Sequence, residues 1–293
     1  MKINRRILLG SALASGLLPA WSARAADSLL PVKTPGLDHL DVMVPDVEKT
    51  TRFYMEVLNT TLHAQPFQGG LRYFVLLGKM NEKREVGYLA VGDARGRGSY
   101  IGHFCTSVFD WRRDGEAIFA AMKKEFAALG MGEMPTGRGI GGIFSDPDGI
   151  EIQFLPAPDT LVTVAEPSQL VPWNKGLVTP HGVDHVLLRV SNIEKALRYY
   201  SVIYGKYQWD AEKRFATFEF PASKTRLILE QKNYEYGKPI HIAHLGIKVD
   251  AFDKATVSAA LTKLGATVLP SPEESKVLRF RDPDNNTVEL VPV

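Results

Sequence analysis

Cysteine is almost absent from this chain of 293 residues. Cys105 is the only one, so no disulfide bond can form within the chain. It lies in Phe104-Cys105-Thr106-Ser107-Val108, a predicted strand, and we expect a buried, unreactive thiol rather than a nucleophile. With 45% hydrophobic and 23% charged residues, the composition is typical of a globular protein rather than a disordered one.

An excess of charge of one sign is also lacking, because the formal net charge is only +2. The basic surplus comes from the first 25 residues, which contain Lys2, Arg5, Arg6 and Arg24 and no acidic residue. Without that segment the formal charge becomes −2. The composition therefore gives no reason to expect a nucleic-acid partner.

Beyond residue 21 the chain has no apolar run long enough to span a membrane. The one apolar run, 7–21, follows a basic start and precedes Ala23-Arg24-Ala25, which fits a small-residue cleavage site. Arg5-Arg6 resembles a twin-arginine export signal, although Asn4 stands where serine or threonine is usual, so ordinary secretion is the alternative. We predict that residues 1–25 are a cleaved export signal, and that the mature protein is periplasmic or secreted with no membrane span.

What the sequence does contain is an internal repeat built around histidines. The following segments recur in the two halves: Asp38-His39-Leu40 as Asp184-His185-Val186, Gly102-His103 as Ala243-His244, and Asp146-Pro147-Asp148 as Asp282-Pro283-Asp284. The last strand of the first copy carries Gln153, and that of the second carries Glu289. The repeat predicts a duplicated fold. Two imidazoles and a carboxylate are a common ligand set for a divalent metal, so the Gln/Glu difference favours the second copy as the metal-binding one.

Each copy also divides into two similar modules. A β-branched strand leads to the N-cap pairs Pro45-Asp46 and Ser191-Asn192, which precede apolar residues at helical spacing. Short predicted strands follow at 71–77, 85–91, 214–220 and 224–230. The pattern then restarts with strands at 101–108 and 241–249 and helices at 115–129 and 252–264. We predict an α+β fold of two domains, each a pair of βαβββ modules that form a curled mixed sheet.

The predicted domain boundaries follow from the repeat and from proline content. The first domain covers 36–156 and the second covers 181–293. The segment between them, 157–180, is predicted to be a linker, since 156–180 contains five prolines.

The turn Asp146-Pro147-Asp148-Gly149 and its counterpart, which ends in Asn285, resemble those of the vicinal oxygen chelate superfamily. This superfamily includes glyoxalase I, methylmalonyl-CoA epimerase, extradiol dioxygenases and bleomycin-resistance proteins. Asn285 is a plausible replacement for glycine, since both residues tolerate left-handed backbone. The resemblance covers nearly the whole mature chain, and it implies that the modules of a domain curl into a cup with inward-pointing metal ligands.

The resemblance also implies which residues bind the metal. The ligand positions are the opening and closing strands of each module, which in the second domain carry His185, Glu230, His244 and Glu289. We predict His185, His244 and Glu289 as ligands, and Glu230 as a fourth ligand or a base beside the metal. Glu230 and Glu289 are the predicted catalytic residues. The metal is one divalent ion among Fe, Mn, Zn, Ni and Co, and these donors do not select among them.

The first domain has a weaker set of candidate ligands. His39 and His103 are present, but Gln153 occupies the carboxylate position, and a neutral amide binds metal less well and cannot act as a base. Glu151, two residues away on the same face, is the candidate to compensate for Gln153, and Glu85 is the candidate for the other acidic position. We expect the first domain to support the structure or to enclose the substrate.

Three functions are compatible with the resemblance, each with a small-molecule ligand and a monomer or homodimer. The preferred one is a metal-dependent lyase or isomerase similar to glyoxalase I or an epimerase, which acts on a small substrate with vicinal oxygens. The first alternative is an extradiol ring-cleaving dioxygenase. Such enzymes carry an additional histidine and tyrosine before the last ligand, and 276–280 contains neither. The second alternative is a non-catalytic ligand-binding protein of the bleomycin-resistance kind.

Overall fold

The computed structural model describes residues 29–67, 70–78, 87–132, 142–157, 170–172, 175–212, 214–231, 242–272 and 274–293. The export signal predicted at 1–25 lies outside these ranges, as do Glu85 and much of the predicted linker. Within the described ranges, no helix has the length and apolar character needed to cross a membrane.

The first domain contains eight strands and two helices among its described residues. They are β1 (Gly36–Val44), α1 (Val47–Val57), β2 (Thr61–Phe67), β3 (Gly70–Leu76), β4 (Tyr88–Asp93), β5 (Tyr100–Phe109), α2 (Trp111–Ala128), β6 (Gly142–Ser145), β7 (Glu151–Ala157) and β8 (Leu170–Pro172). The short strand β8 pairs with β2, so part of the stretch predicted as a linker extends the first sheet.

The second domain repeats this order. Its elements are β9 (Pro180–Val190), α3 (Ile193–Tyr204), β10 (Gln208–Asp210), β11 (Phe215–Phe220), β12 (Thr225–Gln231), β13 (Ile242–Val249), α4 (Lys254–Lys263), β14 (Thr267–Val268), β15 (Leu278–Arg281) and β16 (Thr287–Pro292). These are two successive βαβββ modules, as expected from the sequence.

Each domain forms one eight-stranded mixed sheet. The strand orders are β6-β7-β5-β1-β4-β3-β2-β8 and β10-β11-β12-β9-β13-β16-β15-β14. In both sheets the opening strands of the two modules are antiparallel neighbours at the centre, and each is flanked by the parallel closing strand of its own module. The predicted two-domain α+β fold is confirmed. Within each sheet, the central position of the two opening strands brings their two histidines together.

Helix starts follow the predicted N-caps. The Asp46 side chain accepts a hydrogen bond from the backbone N of Lys49 at 2.9 Å, and Asn192 accepts one from Lys195 at 2.8 Å. These bonds satisfy backbone donors that the first turn of a helix leaves without a partner. Both helices then bury aromatic residues, among them Tyr54 in α1 and Tyr200 in α3.

Those two tyrosines join the domains through the Asp-Pro-Asp turns. Tyr54 donates a hydrogen bond to Asp282 at 2.7 Å, and Tyr200 donates one to Asp146 at 2.9 Å. Each aspartate also accepts bonds from two backbone N–H groups of its own turn. The repeated motif therefore serves both to close the turn and to hold the other domain. Gly149 and Asn285 have φ values of 82° and 71°, so the expected left-handed backbone is confirmed.

The buried carboxyl of Asp146 predicts a pH dependence of stability. Burial, partly opposed by hydrogen bonds from Ile150 and Tyr200, raises the pKa of Asp146 from 3.8 to about 6. Because the folded-state pKa is the higher one, this stabilising contribution is complete below about pH 4 and is lost as the pH rises through 6. A pKa difference of this size corresponds to about 3 kcal/mol in the free energy of unfolding.

We therefore expect Asp146→Asn to flatten the decline in stability of the wild-type protein between pH 4 and pH 7. The measurement is urea-induced unfolding at several pH values, with the wild type and the variant compared at each one. An unchanged pH dependence in Asp146→Asn would show that Asp146 titrates at its ordinary pKa.

Candidate metal centre

Three of the four predicted ligands converge in the second domain. His185 lies on β9, His244 on β13 and Glu289 on β16, and all three side chains are buried. The two imidazole Nε2 atoms are 2.9 Å apart. The carboxylate oxygens of Glu289 are 3.4 Å from His185 Nε2 and 3.6 Å from His244 Nε2. Metal–ligand bonds of about 2.0 to 2.2 Å place neighbouring donors about 3 Å apart, so these atoms fit around one ion.

Asp184 orients the first of these histidines. Its Oδ1 lies 2.7 Å from His185 Nδ1. A proton on Nδ1, shared with this carboxylate, leaves the lone pair of Nε2 directed toward His244 and Glu289. Carboxylate partners of this kind hold metal-binding histidines in one tautomer and increase their basicity. Asp184 also pairs with Arg226. Burial works against ionisation of this carboxyl, but the hydrogen bonds with His185 and Arg226 outweigh it and lower its pKa.

The protonation states of His244 and Glu289 favour metal binding. Burial lowers the pKa of His244 to about 3, so its imidazole is neutral at pH 7. Burial works against ionisation of Glu289, but the hydrogen bond with His185 and the neighbouring positive charges outweigh it and lower its pKa to about 2. For His185, hydrogen bonds with Asp184 and Glu289 outweigh burial and raise its pKa. Metal binding at His185 would therefore be opposed by protonation of this imidazole as the pH falls.

The register of β13 and β16 defines where a ligand carboxylate lies relative to a histidine. Glu289 is the direct neighbour of Gly246, which lies two residues after His244. By the same rule, a fourth ligand on β12 would be the direct neighbour of the residue two positions after His185.

The residue at this fourth-ligand position is Ile228 rather than Glu230. Arg226 is the neighbour of His185, and Ile228 is the neighbour of Leu187, two residues further along β9. Glu230 lies on the same face but another two residues along, about 7 Å further at the rise of a strand. Its carboxylate is not part of the His185–His244–Glu289 group, and it lies 3.3 Å from Arg189 Nε.

Gly246 is not among the predicted site residues, yet it shapes the centre. A Cβ atom at this position would lie 2.3 Å from Nδ1 and 2.4 Å from Cε1 of His185. The imidazole therefore rests against the backbone of Gly246, its neighbour across β9 and β13. A glycine inside a strand often marks such a close approach, and that signal was present in the sequence.

We expect Gly246→Ala to displace the His185 ring and to weaken metal binding by at least about tenfold, as loss of ligand orientation generally does. Zinc affinity measured by competition with a chromophoric chelator checks this. Gly98→Ala is the matched control, because a Cβ at Gly98 meets nothing within 4 Å. Equal zinc affinity in both variants would contradict the role given to Gly246.

The first domain holds a similar arrangement with an amide in place of the carboxylate. His39 Nε2 lies 3.3 Å from His103 Nε2, which lies 3.1 Å from Gln153 Oε1. Asp38 contacts His39 Nδ1 at 2.6 Å, as Asp184 contacts His185. Burial lowers the pKa of His103 to about 4. Glu151 is exposed at the start of β7 and does not join this group.

Cys105 is fully buried beside the first-domain histidines, as predicted. Its ligand atom lies within 4.8 Å of those of Asp38 and His39. Burial raises the pKa of the thiol well above its ordinary value. The protonated thiol is a poor metal ligand and a poor nucleophile, so this group does not resemble a working metal site.

Three arginines surround the centre in the second domain, and none is among the predicted site residues. Arg279 lies beside Glu289 on β15 and pairs with it, Arg226 pairs with Asp184, and Arg189 pairs with Glu230. Their side chains are 44%, 41% and 43% exposed, in that order. Three half-exposed arginines, each paired with a carboxylate, thus lie near the buried ligands.

Comparisons with known proteins agree with this fold. A sequence model described as the Glyoxalase/Bleomycin resistance protein/Dioxygenase superfamily matches residues 36–154 and 182–290. The chain belongs to this superfamily. A search of curated proteins found no match.

Several solved structures have a similar fold over most of the chain. The 2,3-dioxygenase LapB from Pseudomonas sp. KL28 has a TM-score of 0.62 at 15% identity, over 89% of this chain and 93% of that one. The Mn(II)-bound glyoxalase from Novosphingobium aromaticivorans has a TM-score of 0.57 at 13% identity, over 88% of this chain and 82% of that one. A mutant homoprotocatechuate 2,3-dioxygenase from Brevibacterium fuscum has a TM-score of 0.59 at 15% identity, over 88% of this chain and 71% of that one. At these identities the similarity establishes the fold alone.

Proposed function

We propose that this protein is a metal-dependent enzyme whose second domain binds one divalent metal through His185, His244 and Glu289. The observation that carries the proposal is the convergence of these three buried donors at distances of 2.9 to 3.6 Å. When bound, the metal would act as a Lewis acid toward a small substrate that chelates it through two neighbouring oxygens. The metal stays unassigned among Fe, Mn, Zn, Ni and Co.

The reaction we propose is a proton transfer of the lyase or isomerase type, with Glu230 as the base. Its position beyond the ligand site supports this role, because a carboxylate there would lie beside a chelated substrate rather than at the metal. Arg189, 3.3 Å away, keeps Glu230 on the inner face of β12. Glu289 is less suited to proton transfer, because its pKa of about 2 makes it a weak base.

Hydrogen exchange tests this reaction without knowledge of the natural substrate. Hydroxyacetone carries a carbonyl beside a hydroxyl, and loss of its C–H signals in D2O can be followed by proton NMR with the Zn(II)-loaded protein. Glu230→Gln should slow the protein-catalysed exchange by about 100-fold while zinc remains bound. The exposed Glu219→Gln on β11 is the matched control. Exchange that is equally fast in Glu230→Gln would exclude Glu230 as the base.

A ring-cleaving dioxygenase is the second candidate, and one observation favours it. Since Ile228 occupies the position of a fourth ligand, only His185, His244 and Glu289 would hold the metal, and a site of two histidines and one carboxylate with open positions is typical of Fe(II) oxygenases. One feature of the sequence counts against the dioxygenase. The segment 276–280, which precedes the last ligand, contains neither histidine nor tyrosine, and the direct neighbour of Glu289 in it is Arg279. Oxygen uptake by the Fe(II)-loaded protein on addition of catechol, absent in His244→Ala, would select this candidate over the isomerase.

We further propose that the protein is exported to the periplasm or secreted after removal of residues 1–25. The basic start, the apolar run and the small-residue cleavage pattern support this. The proposed partner is a small-molecule substrate, and the proposed assembly is a monomer or a homodimer. Intact-mass measurement on the protein from its native cell fractions tests the cleavage.

A further inference from the structure

The arginines above the metal centre change the charge that a substrate meets. Three cationic side chains, Arg189, Arg226 and Arg279, face three carboxylates, those of Glu230, Asp184 and Glu289. Without metal these charges balance. A divalent ion would add two positive charges to the site, and bound ions are often the largest local charges. The metal-loaded site would therefore attract an anion more strongly than a neutral chelating molecule.

The first domain shows that the fold does not require these arginines. The residue four positions after the opening histidine is Arg189 in the second domain and Met43 in the first. The neighbour of that histidine on the next strand is Arg226 in one copy and Tyr88 in the other.

The third arginine follows the same pattern. The neighbour of the last ligand position is Arg279 beside Glu289, but Ile143 beside Gln153. All three positions are thus uncharged in the copy that lacks the ligand carboxylate, and cationic in the copy that has it. The three arginines are therefore found in the domain with the complete ligand set and are absent at the matching positions of the other domain, although both domains have the same kind of sheet.

Their exposure also fits contact with a ligand. Between 41% and 44% of each arginine side chain is accessible, while His185, His244 and Glu289 beneath them are buried. A guanidinium has five N–H donors, and a single carboxylate partner leaves several of them available. Its planar fork matches a carboxylate through two parallel hydrogen bonds.

We propose that the substrate is a small organic carboxylate, with the carboxylate group separate from the two oxygens that chelate the metal. Arg189 binds this group from the β9–β12 side of the cup, and Arg226, four residues away along the strand pair, adds positive charge on the same side. Arg279 has a different role, because its pairing with Glu289 ties it to the ligand itself. This inference rests on the proposed metal-binding function, and it adds the charge class of the substrate.

The test compares two probes that differ in one negative charge. Zn(II)-loaded protein is titrated calorimetrically with 3,4-dihydroxybenzoate and with its methyl ester, which has the same vicinal oxygens and a neutral electron-withdrawing group. We expect the acid to bind at least tenfold more tightly than the ester. Zinc content is measured on every sample.

The variants carry the residues that the first domain has at the same places. Arg189→Met should bring the acid/ester affinity ratio close to one while zinc stays bound, and Arg226→Tyr should lower the ratio. Arg198→Met on the exposed face of α3 removes a positive charge elsewhere and should keep the ratio. If Arg226→Tyr loses zinc because Asp184 no longer has its arginine partner, Arg189→Met alone tests the carboxylate inference, because Arg189 contacts none of the three proposed metal ligands.

The outcomes separate this inference from the proposed function. Zinc binding with equal affinity for acid and ester, or with no binding of the acid, overturns the carboxylate inference and leaves the metal site intact. A preference for the acid that persists in Arg189→Met and Arg226→Tyr also overturns it. A wild-type protein that binds no zinc overturns both.

Discussion

Glu289→Gln should weaken binding of a divalent metal by at least about 100-fold. Changes in residues that merely orient a ligand weaken metal binding by about 10- to 100-fold, and this substitution neutralises a ligand itself. Glutamine has nearly the same shape, so His185 and His244 should stay in place, and the substitution reproduces the ligand set that the first domain has with Gln153. Competition with a chromophoric chelator measures the change in zinc affinity.

Glu230→Gln is the internal control for that experiment. Register places Ile228 rather than Glu230 at the fourth ligand position, so Glu230→Gln should keep zinc affinity within about threefold of the wild type. If Glu230→Gln released the metal and Glu289→Gln kept it, the assignment of ligands from strand register would be wrong.

Gln153→Glu should give the first domain a metal site of its own and raise the zinc content from one to two ions per chain. His39 and His103 already hold their Nε2 atoms 3.3 Å apart, and Gln153 Oε1 lies 3.1 Å from His103 Nε2. Asp38 orients His39 as Asp184 orients His185. The substitution therefore adds the one donor type that the first centre lacks.

Zinc stoichiometry after gel filtration measures this gain. Gln153→Glu combined with His103→Ala should return to one ion per chain, which shows that the second ion lies in the first domain. A value that stays at one in Gln153→Glu would mean that the surroundings, with Ile143 where Arg279 stands in the other copy, do not tolerate the buried carboxylate.

Much of the fold could be predicted from the sequence, because the two copies match most closely at turns and helix starts that need particular residues. The Asp-Pro-Asp turns are recognisable since each aspartate must accept two backbone hydrogen bonds and one from a tyrosine of the other domain. The N-caps Asp46 and Asn192 are local signals and needed no tertiary information. The pairing of β8 with β2 had no such signal, since its partner lies about 100 residues away in the sequence.

The candidate site was harder to predict than the fold, because the spacing of residues along the sequence does not determine how neighbouring strands align. Glu230 and Glu289 both follow a histidine by 45 residues, yet loops and bulges absorb residues differently in the two modules. Only the register of β12 shows that Glu230 lies two residues beyond the ligand position. The arginines were hidden for a related reason: their significance depends on which residues face each other across strands.

The most direct test of the metal centre is the metal content of the protein lacking residues 1–25, measured by elemental mass spectrometry beside the His244→Ala and His39→Ala variants. We expect about one transition-metal ion per chain in the parent, retained by His39→Ala and lost by His244→Ala. A parent that stays metal-free after reconstitution, or a metal lost by His39→Ala and kept by His244→Ala, would contradict it. A metal-free parent would point instead to a ligand-binding protein of the bleomycin-resistance kind.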